Sequence, residues 1–195
     1  MGAAAAAKPG GMAAVSGASL ETVERALAEA TLSGGTLVIG AVNAPAQVTV
    51  SGDKALVEAF VKSDIRHYAR VTPLRVSGAW HSPHMAEAAG AFEHLIGEAA
   101  IANAALPLIR NRDGEPVESA DDLRVGIAGQ LIRPVRWDRV MVRLFDMGIR
   151  DFVEIGPGKV LRGLVRLNDE TPSISVHNIS DLRSLDRAVS ALQDG

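Results

Sequence analysis

Trp80-His81-Ser82-Pro83-His84-Met85 puts two histidines three residues apart around a Ser-Pro pair. A histidine can act as a general base near neutrality, because its unperturbed pKa lies near 6.5. Pro83 suits the first turn of a helix, where its missing N–H would have no partner. From Met85 onward, apolar or small residues at Ala88, Ala89, Phe92, Leu95, Ile96 and Ala99 keep helical spacing to about Ile101. His81 therefore falls where a strand gives way to a helix, a place where loops on a rigid scaffold present side chains for chemistry. A capping or half-buried histidine is the competing reading. His81 and His84 could be imagined as metal ligands, but no Asp, Glu or His clusters beside them, so no metal is expected. His67, His94 and His177 read as surface or cap residues. A serine beside the histidine, Ser77 or Ser82, would instead suggest a hydrolase.

Upstream elements must hold this stretch in place. Met12–Val15 reads as a first strand closed by Ser16-Gly17, and Ser19 caps a helix carrying Leu20, Val23, Ala26, Leu27 and Ala30 on one side. Thr36–Val42 and Gln47–Ser51 are strands joined through Asn43-Ala44-Pro45. Asp53 is expected to cap a helix over Lys54–Lys62, and Tyr68–Val76 is expected to be a strand. The order β-α-β-β-α-β is the split βαβ, ferredoxin-like arrangement. Beyond His81 come helices over 121–131 and 137–147, a compact buried strand Phe152–Ile155, the turn Gly156-Pro157-Gly158, a helix over 159–167, a strand at 174–176 and a closing helix over 182–192. Strands and helices alternating in this way imply a parallel sheet flanked by helices. The domain organisation expected is a tail or truncated end over 1–11, a small ferredoxin-like subdomain over 12–75, and part of a larger α/β subdomain over 76–195.

Composition sets outer limits. Among 195 residues, 47% are hydrophobic and 22% charged, as in ordinary folded domains. A net charge of −3 without a basic block gives no reason to expect nucleic acid or an anionic membrane as partner. The absence of cysteine removes disulfides, thiolate metal sites and a cysteine nucleophile, and fits a cytoplasmic setting. No apolar run approaches the roughly 18 residues of a membrane span.

Four stretches in register resemble a known family: Asn43-Ala44-Pro45-Ala46-Gln47-Val48-Thr49-Val50-Ser51-Gly52; Val76-Ser77-Gly78-Ala79-Trp80-His81-Ser82-Pro83-His84-Met85; Gln130-Leu131 with Pro134-Val135-Arg136-Trp137; and Glu154-Ile155-Gly156-Pro157-Gly158-Lys159-Val160-Leu161. Together they resemble malonyl-CoA:acyl-carrier-protein transacylases and the acyltransferase domains of polyketide and fatty acid synthases. The resemblance implies an α/β-hydrolase-like large subdomain with a ferredoxin-like small subdomain inserted. It also implies ping-pong transfer of malonyl from a CoA thioester, through a serine ester, to the phosphopantetheine thiol of a carrier protein. No bound cofactor is implied. His81 becomes the catalytic base, Trp80, Ala79, Gly78, Asn43 and Gln47 the substrate-binding candidates, and Gly156, Pro157 and Gly158 the turn whose backbone carbonyl orients the histidine. A large ring at Trp80 would crowd an α-branched acyl group, which favours malonyl; plain packing is the alternative reading. Lys159 after Gly158 is not a phosphate loop, because Val153 and Val160 stand where that motif needs Gly and Ser/Thr.

The family's Gly-His-Ser-Leu-Gly-Glu elbow, its upstream oxyanion motif and its malonyl-pairing arginine are not in this sequence. Gly17-Ala18-Ser19-Leu20-Glu21 lacks the glycine such an elbow needs after Leu20. The expectation is a C-terminal part of the enzyme whose serine comes from another polypeptide or an upstream segment. The alternative is an inactive module that docks the carrier protein. Helices after His81 should then carry uncovered apolar surface. About 1000 Å² would forgo roughly 25 kcal/mol of burial, more than a domain's net stability, and patches of that size mark interfaces.

Overall fold

The structure, a computed structural model, describes residues 2–169 and 173–193. In chain order its elements are α1 (Gly2–Ala7), β1 (Gly10–Ser16), α2 (Leu20–Ala30), β2 (Leu37–Ala44), β3 (Gln47–Asp53), α3 (Lys54–Lys62), β4 (Arg70–Pro73), α4 (Ala86–Glu98), β5 (Leu108–Ile109), β6 (Pro116–Val117), α5 (Ala120–Ala128), β7 (Val135–Arg136), α6 (Trp137–Asp146), β8 (Asp151–Ile155), α7 (Val160–Asn168), β9 (Ser175–Ile179) and α8 (Leu182–Gln193). Contacts divide the chain into two compact units, 1–140 and 141–195. That boundary lies well beyond the expected one near residue 76, because the loop around His81 and the helices α4 and α5 pack with the first sheet's unit.

The first unit is built on a sheet ordered β4-β1-β3-β2-β7. The pairs β4–β1, β1–β3 and β3–β2 are antiparallel, which makes β1 to β4 with α2 and α3 the ferredoxin-like βαββαβ arrangement. The two-residue β7 adds a fifth strand, pairing in parallel with β2 at Ala41↔Val135 and Val42↔Arg136. Alternation sorts each strand's side chains between faces. Val15, Val48 and Val50 join Val23 and Leu27 of α2 and Val57 and Phe60 of α3 in one buried cluster. Ser19 caps α2 as expected, its hydroxyl accepting from Thr22 N at 3.2 Å. Two bulges interrupt β2, at Gly40 and at Asn43.

Several expectations are corrected. Residues Gly2–Ala7 are helical with Ala4 and Ala5 buried rather than a tail. Asp53 makes no side-chain cap to α3; its Oδ2 accepts from Thr36 N instead. The strand expected over 68–76 is only β4, because a 3-10 turn over Asp64–His67 precedes it and irregular backbone follows. Asp113 ends a turn after β5. Burial pushes its carboxyl up, but the N–H of Glu115 together with Arg110 and Arg112 holds it below its ordinary value of 3.8.

The second unit has two parallel strands, β8 and β9, paired from Asp151↔Ser175 to Ile155↔Ile179. The segment Phe152–Ile155 is not the buried strand its composition suggested. Val153 is 42% exposed and Ile155 81%. Polar caps organise the helix ends here. The Glu154 carboxylate accepts from Leu161 N and Arg162 N at the start of α7. Ahead of α8, Asp181 accepts from the N–H and hydroxyl of Ser184, which hold its carboxyl below the ordinary range. Phe145 and Phe152 meet edge to face at 6.1 Å between ring centres. Among the described residues, the large exposed apolar side chains other than Leu32, Tyr68, Leu74 and Val76 all follow residue 81. No helix among them is long and apolar enough to cross a membrane.

Candidate active site

The stretch 78–85 lies on the sheet face opposite α2 and α3. Ser51, fully buried, is out of step with the core residue Val50 and points to that open face, where its hydroxyl donates to Trp80 O at 2.6 Å. Met12 and Gly40 bound the same spot, since a Cβ on Gly40 would meet the Met12 methyl at 3.3 Å and Trp80 O at 3.5 Å. Ser82 then turns the chain. Its buried hydroxyl donates to Ala79 O at 2.7 Å and accepts from His84 N, opening the 3-10 turn Pro83–Met85 ahead of α4.

His81 sits between these fixtures with φ +59°, the one non-glycine residue with positive φ among the described residues. The left-handed region disfavours a residue with a Cβ, by about 1–2 kcal/mol, and such strain persists where surrounding structure imposes it. The half-buried ring places Nδ1 3.0 Å from the carbonyl oxygen of Gln130, in the 3-10 turn Gly129–Ile132. A carbonyl oxygen only accepts, so Nδ1 carries the proton and Nε2 keeps its lone pair. Nε2 has no hydrogen-bond partner among the described residues. An oriented imidazole with a bare outer nitrogen is the geometry of a general base. The orienting carbonyl expected at the turn 156–158 is thus supplied by Gln130. Gly156 and Gly158 take positive φ, and Gly156 N donates to Ile179 O. A backbone carbonyl carries no residue signature, so only the Gln130-Leu131 pair ahead of Pro134 hinted at it.

The other substrate-binding candidates fall into three groups. Ala79 is fully buried, and a Cβ on Gly10 would come within 2.6 Å of its methyl, so its side chain packs inward and offers a ligand nothing. Gly78 is also buried; a Cβ there would meet Ala5 at 2.7 Å and the Trp80 ring at 3.3 Å. Both positions pack closely against the N-terminal part of the chain. Trp80 is half-buried beside His81. Asn43, at the β2 bulge, donates to Thr49 Oγ1 at 3.3 Å, and Gln47 has a buried Oε1 without a hydrogen bond among the described residues. Beside Gln130 opens an apolar cavity of about 460 Å³ lined by Phe92, Leu108, Ile109, Leu123, Ile127 and Leu131.

Ser82 is buried and committed to the turn, and Ser19 to its helix cap. Ser77 is exposed two residues from Ala79. The described residues contain no group of three or more potential metal ligands, and His84 faces inward toward Asp53 instead.

No protein-family model matches the chain. A malonyl CoA-acyl carrier protein transacylase from Synechocystis is 36% identical over 143 residues, covering 73% of this chain and 47% of that protein. The protein of the same name from Bacillus subtilis is 32% identical over 187 residues, or 95% of this chain and 58% of that one. The chain therefore spans about half the length of the curated relatives it matches. Among solved structures, the malonyl-CoA:acyl carrier protein transacylase of Xanthomonas oryzae superposes with a TM-score of 0.88 at 30% identity, covering 96% of this chain and 60% of that one. A type II polyketide synthase acyl carrier protein in complex with its malonyl-transacylase gives a TM-score of 0.86 at 28% identity, with coverage of 95% and 59%.

Proposed function

Since the chain belongs to the malonyl-CoA:acyl-carrier-protein transacylase family over part of that family's length, we propose that it supplies the base, the small subdomain and part of the acyl pocket of a malonyl transfer site. The serine nucleophile comes from a separate polypeptide or an upstream segment. The observation carrying this reading is His81, strained at φ +59° and held through Nδ1 by Gln130 with Nε2 free.

In this reading Nε2 takes the serine hydroxyl proton as the oxygen attacks the malonyl thioester. The C–S bond of the tetrahedral intermediate breaks, and the CoA sulfur leaves with the proton from the imidazolium. Nε2 next takes the proton of the phosphopantetheine thiol, whose sulfur attacks the seryl ester. The serine oxygen leaves and recovers that proton. Gln130 O stabilises the imidazolium through Nδ1–H in both halves. Trp80 beside the base favours the unbranched malonyl group. The carrier protein is the acceptor, CoA enters as substrate, and the setting is cytoplasmic.

The test mixes the chain with a serine-bearing N-terminal fragment of a relative and follows malonyl transfer from malonyl-CoA to a holo carrier protein. Transfer by the mixture, absent from either part alone and lost in His81→Ala, supports the reading. Carrier binding without transfer, unaffected by His81→Ala, would establish the docking-module alternative instead. A covalent malonyl adduct on the chain alone, read by intact mass, would mean it carries its own nucleophile.

A further inference from the structure

His84 is a titratable side chain that the transfer chemistry leaves unused, and it is fully buried. Its Nε2 lies 2.9 Å from Asp53 Oδ1, close enough for an ion pair but without a hydrogen bond. Its Nδ1 has no partner among the described residues. Asp53 is itself fixed at the end of β3, with Oδ2 accepting from Thr36 N and its own N–H donating to Thr36 O at 2.7 Å. Opposite Asp53 in the sheet register stands Gly10, where a Cβ would lie 3.1 Å from His84 Nδ1. The sheet has thus been kept bare where the ring rests.

Ser51 and Asp53 are successive outward positions of β3. Ser51 donates to the carbonyl of Trp80, the residue before His81, and the carboxylate of Asp53 lies against the ring of His84, three residues after it. Between two anchors on one rigid strand, residues 80–84 must reverse direction within a fixed span. His81 is the residue that takes the left-handed conformation inside that span.

We infer that Asp53 and His84 form a positioning pair which, with the Ser51–Trp80 tie, holds His81 at positive φ and keeps its ring on Gln130. The pair touches no reacting atom; it acts through the backbone of the loop. This rests on His81 being the base only for its consequence in transfer, since the geometry itself can be read in the isolated chain.

The test uses the full chain labelled with ¹⁵N-histidine and records imidazole correlation spectra, with the His81 signals assigned by their loss in His81→Gln. The wild type should show His81 as the Nδ1–H tautomer, with a protected ring proton. In His84→Leu that proton should exchange at least tenfold faster or broaden away, while the amide signals of β1 to β3 stay in place. His84→Gln, whose amide nitrogen can occupy the place of Nε2, should restore the signal. A folded His84→Leu with an unchanged His81 ring would overturn the inference, as would a His84→Gln that fails to restore it. If His84→Leu does not fold, Asp53→Asn is read in its place. Its amide keeps an oxygen for Thr36 N but turns a donor toward His84, and the same two outcomes decide. Because no turnover is measured, failure of the transfer reading and failure of this one are separable.

Discussion

The two units use opposite strategies to stay folded. In the first, antiparallel strands alternate between a helix-covered face and a face partly covered by the loop 78–85, and Val15, Val23, Val48, Val50 and Phe60 are almost wholly buried. In the second, two parallel strands carry exposed apolar residues, Val165, Ile174 and Ala188 are among its few buried apolar side chains, and the helix starts depend on the carboxylates of Glu154 and Asp181. Parallel sheets normally have both faces covered and more than two strands. The difference teaches that the candidate base belongs to the region with its own core, whereas the second unit presents apolar surface of the kind that marks interfaces.

Core truncation should separate the units most. Phe60→Ala should cost about 3–5 kcal/mol, read as a drop in the urea midpoint followed by tryptophan fluorescence. Both tryptophans, Trp80 and Trp137, belong to the first unit. A change below about 1 kcal/mol would contradict the assigned core. Next comes Gly52→Ala: a Cβ there would lie 2.0 Å from Thr36 O, backbone against backbone. Overpacking of this kind costs about 1–3 kcal/mol or more, and a neutral result in thermal unfolding would show that the β2–β3 end yields easily.

His81 gives a sharper comparison, because its expected sign is unusual. Glycine in ordered structure is normally less stable than alanine. At φ +59° the order should reverse, with His81→Gly melting above His81→Ala by the equivalent of about 1 kcal/mol; the usual order would remove the strain from the argument. Val153→Ser in the second unit should move stability by about 0.5 kcal/mol or less. It should also lower the binding of a hydrophobic dye, since Val153 is 42% exposed. The smallest effect concerns acid. The folded pKa of Asp113 lies below its ordinary value of 3.8, so its contribution is full above that pH and is lost as the pH falls through the folded value. Asp113→Asn should flatten the acid limb of the stability curve in that window, and a limb unchanged from wild type would show the cluster with Arg110 and Arg112 to be idle.

Much of the first sheet was legible because its signals are local. Alternating Val and Thr in β3, the Ser19 cap and the helical spacing of α2 all lie in single stretches. The position of His81 between strand and helix was legible for the same reason. What holds His81 was not, since Gln130 acts through a carbonyl that every residue has, and Asp53 meets His84 from 31 positions away in a role that resembles a helix cap in sequence. The inward packing of Ala79 was not legible, because being next to a candidate base says nothing about which way a methyl points. Phe152–Ile155 was read as buried from composition, which reports what a strand could cover and not what covers it.

The parallel pairing of β2 with β7 has a kinetic consequence. It joins Ala41 and Val42 to Val135 and Arg136, so a long loop must close before the fifth strand can add. The ferredoxin-like core has all its strands by Pro73 and can collapse during synthesis, while Gln130 and β7 have yet to leave the ribosome. The contact that orients His81 therefore forms late, onto a sheet that already exists. Slowed translation between residues 73 and 130 should leave a folded small sheet whose histidine ring is still unheld.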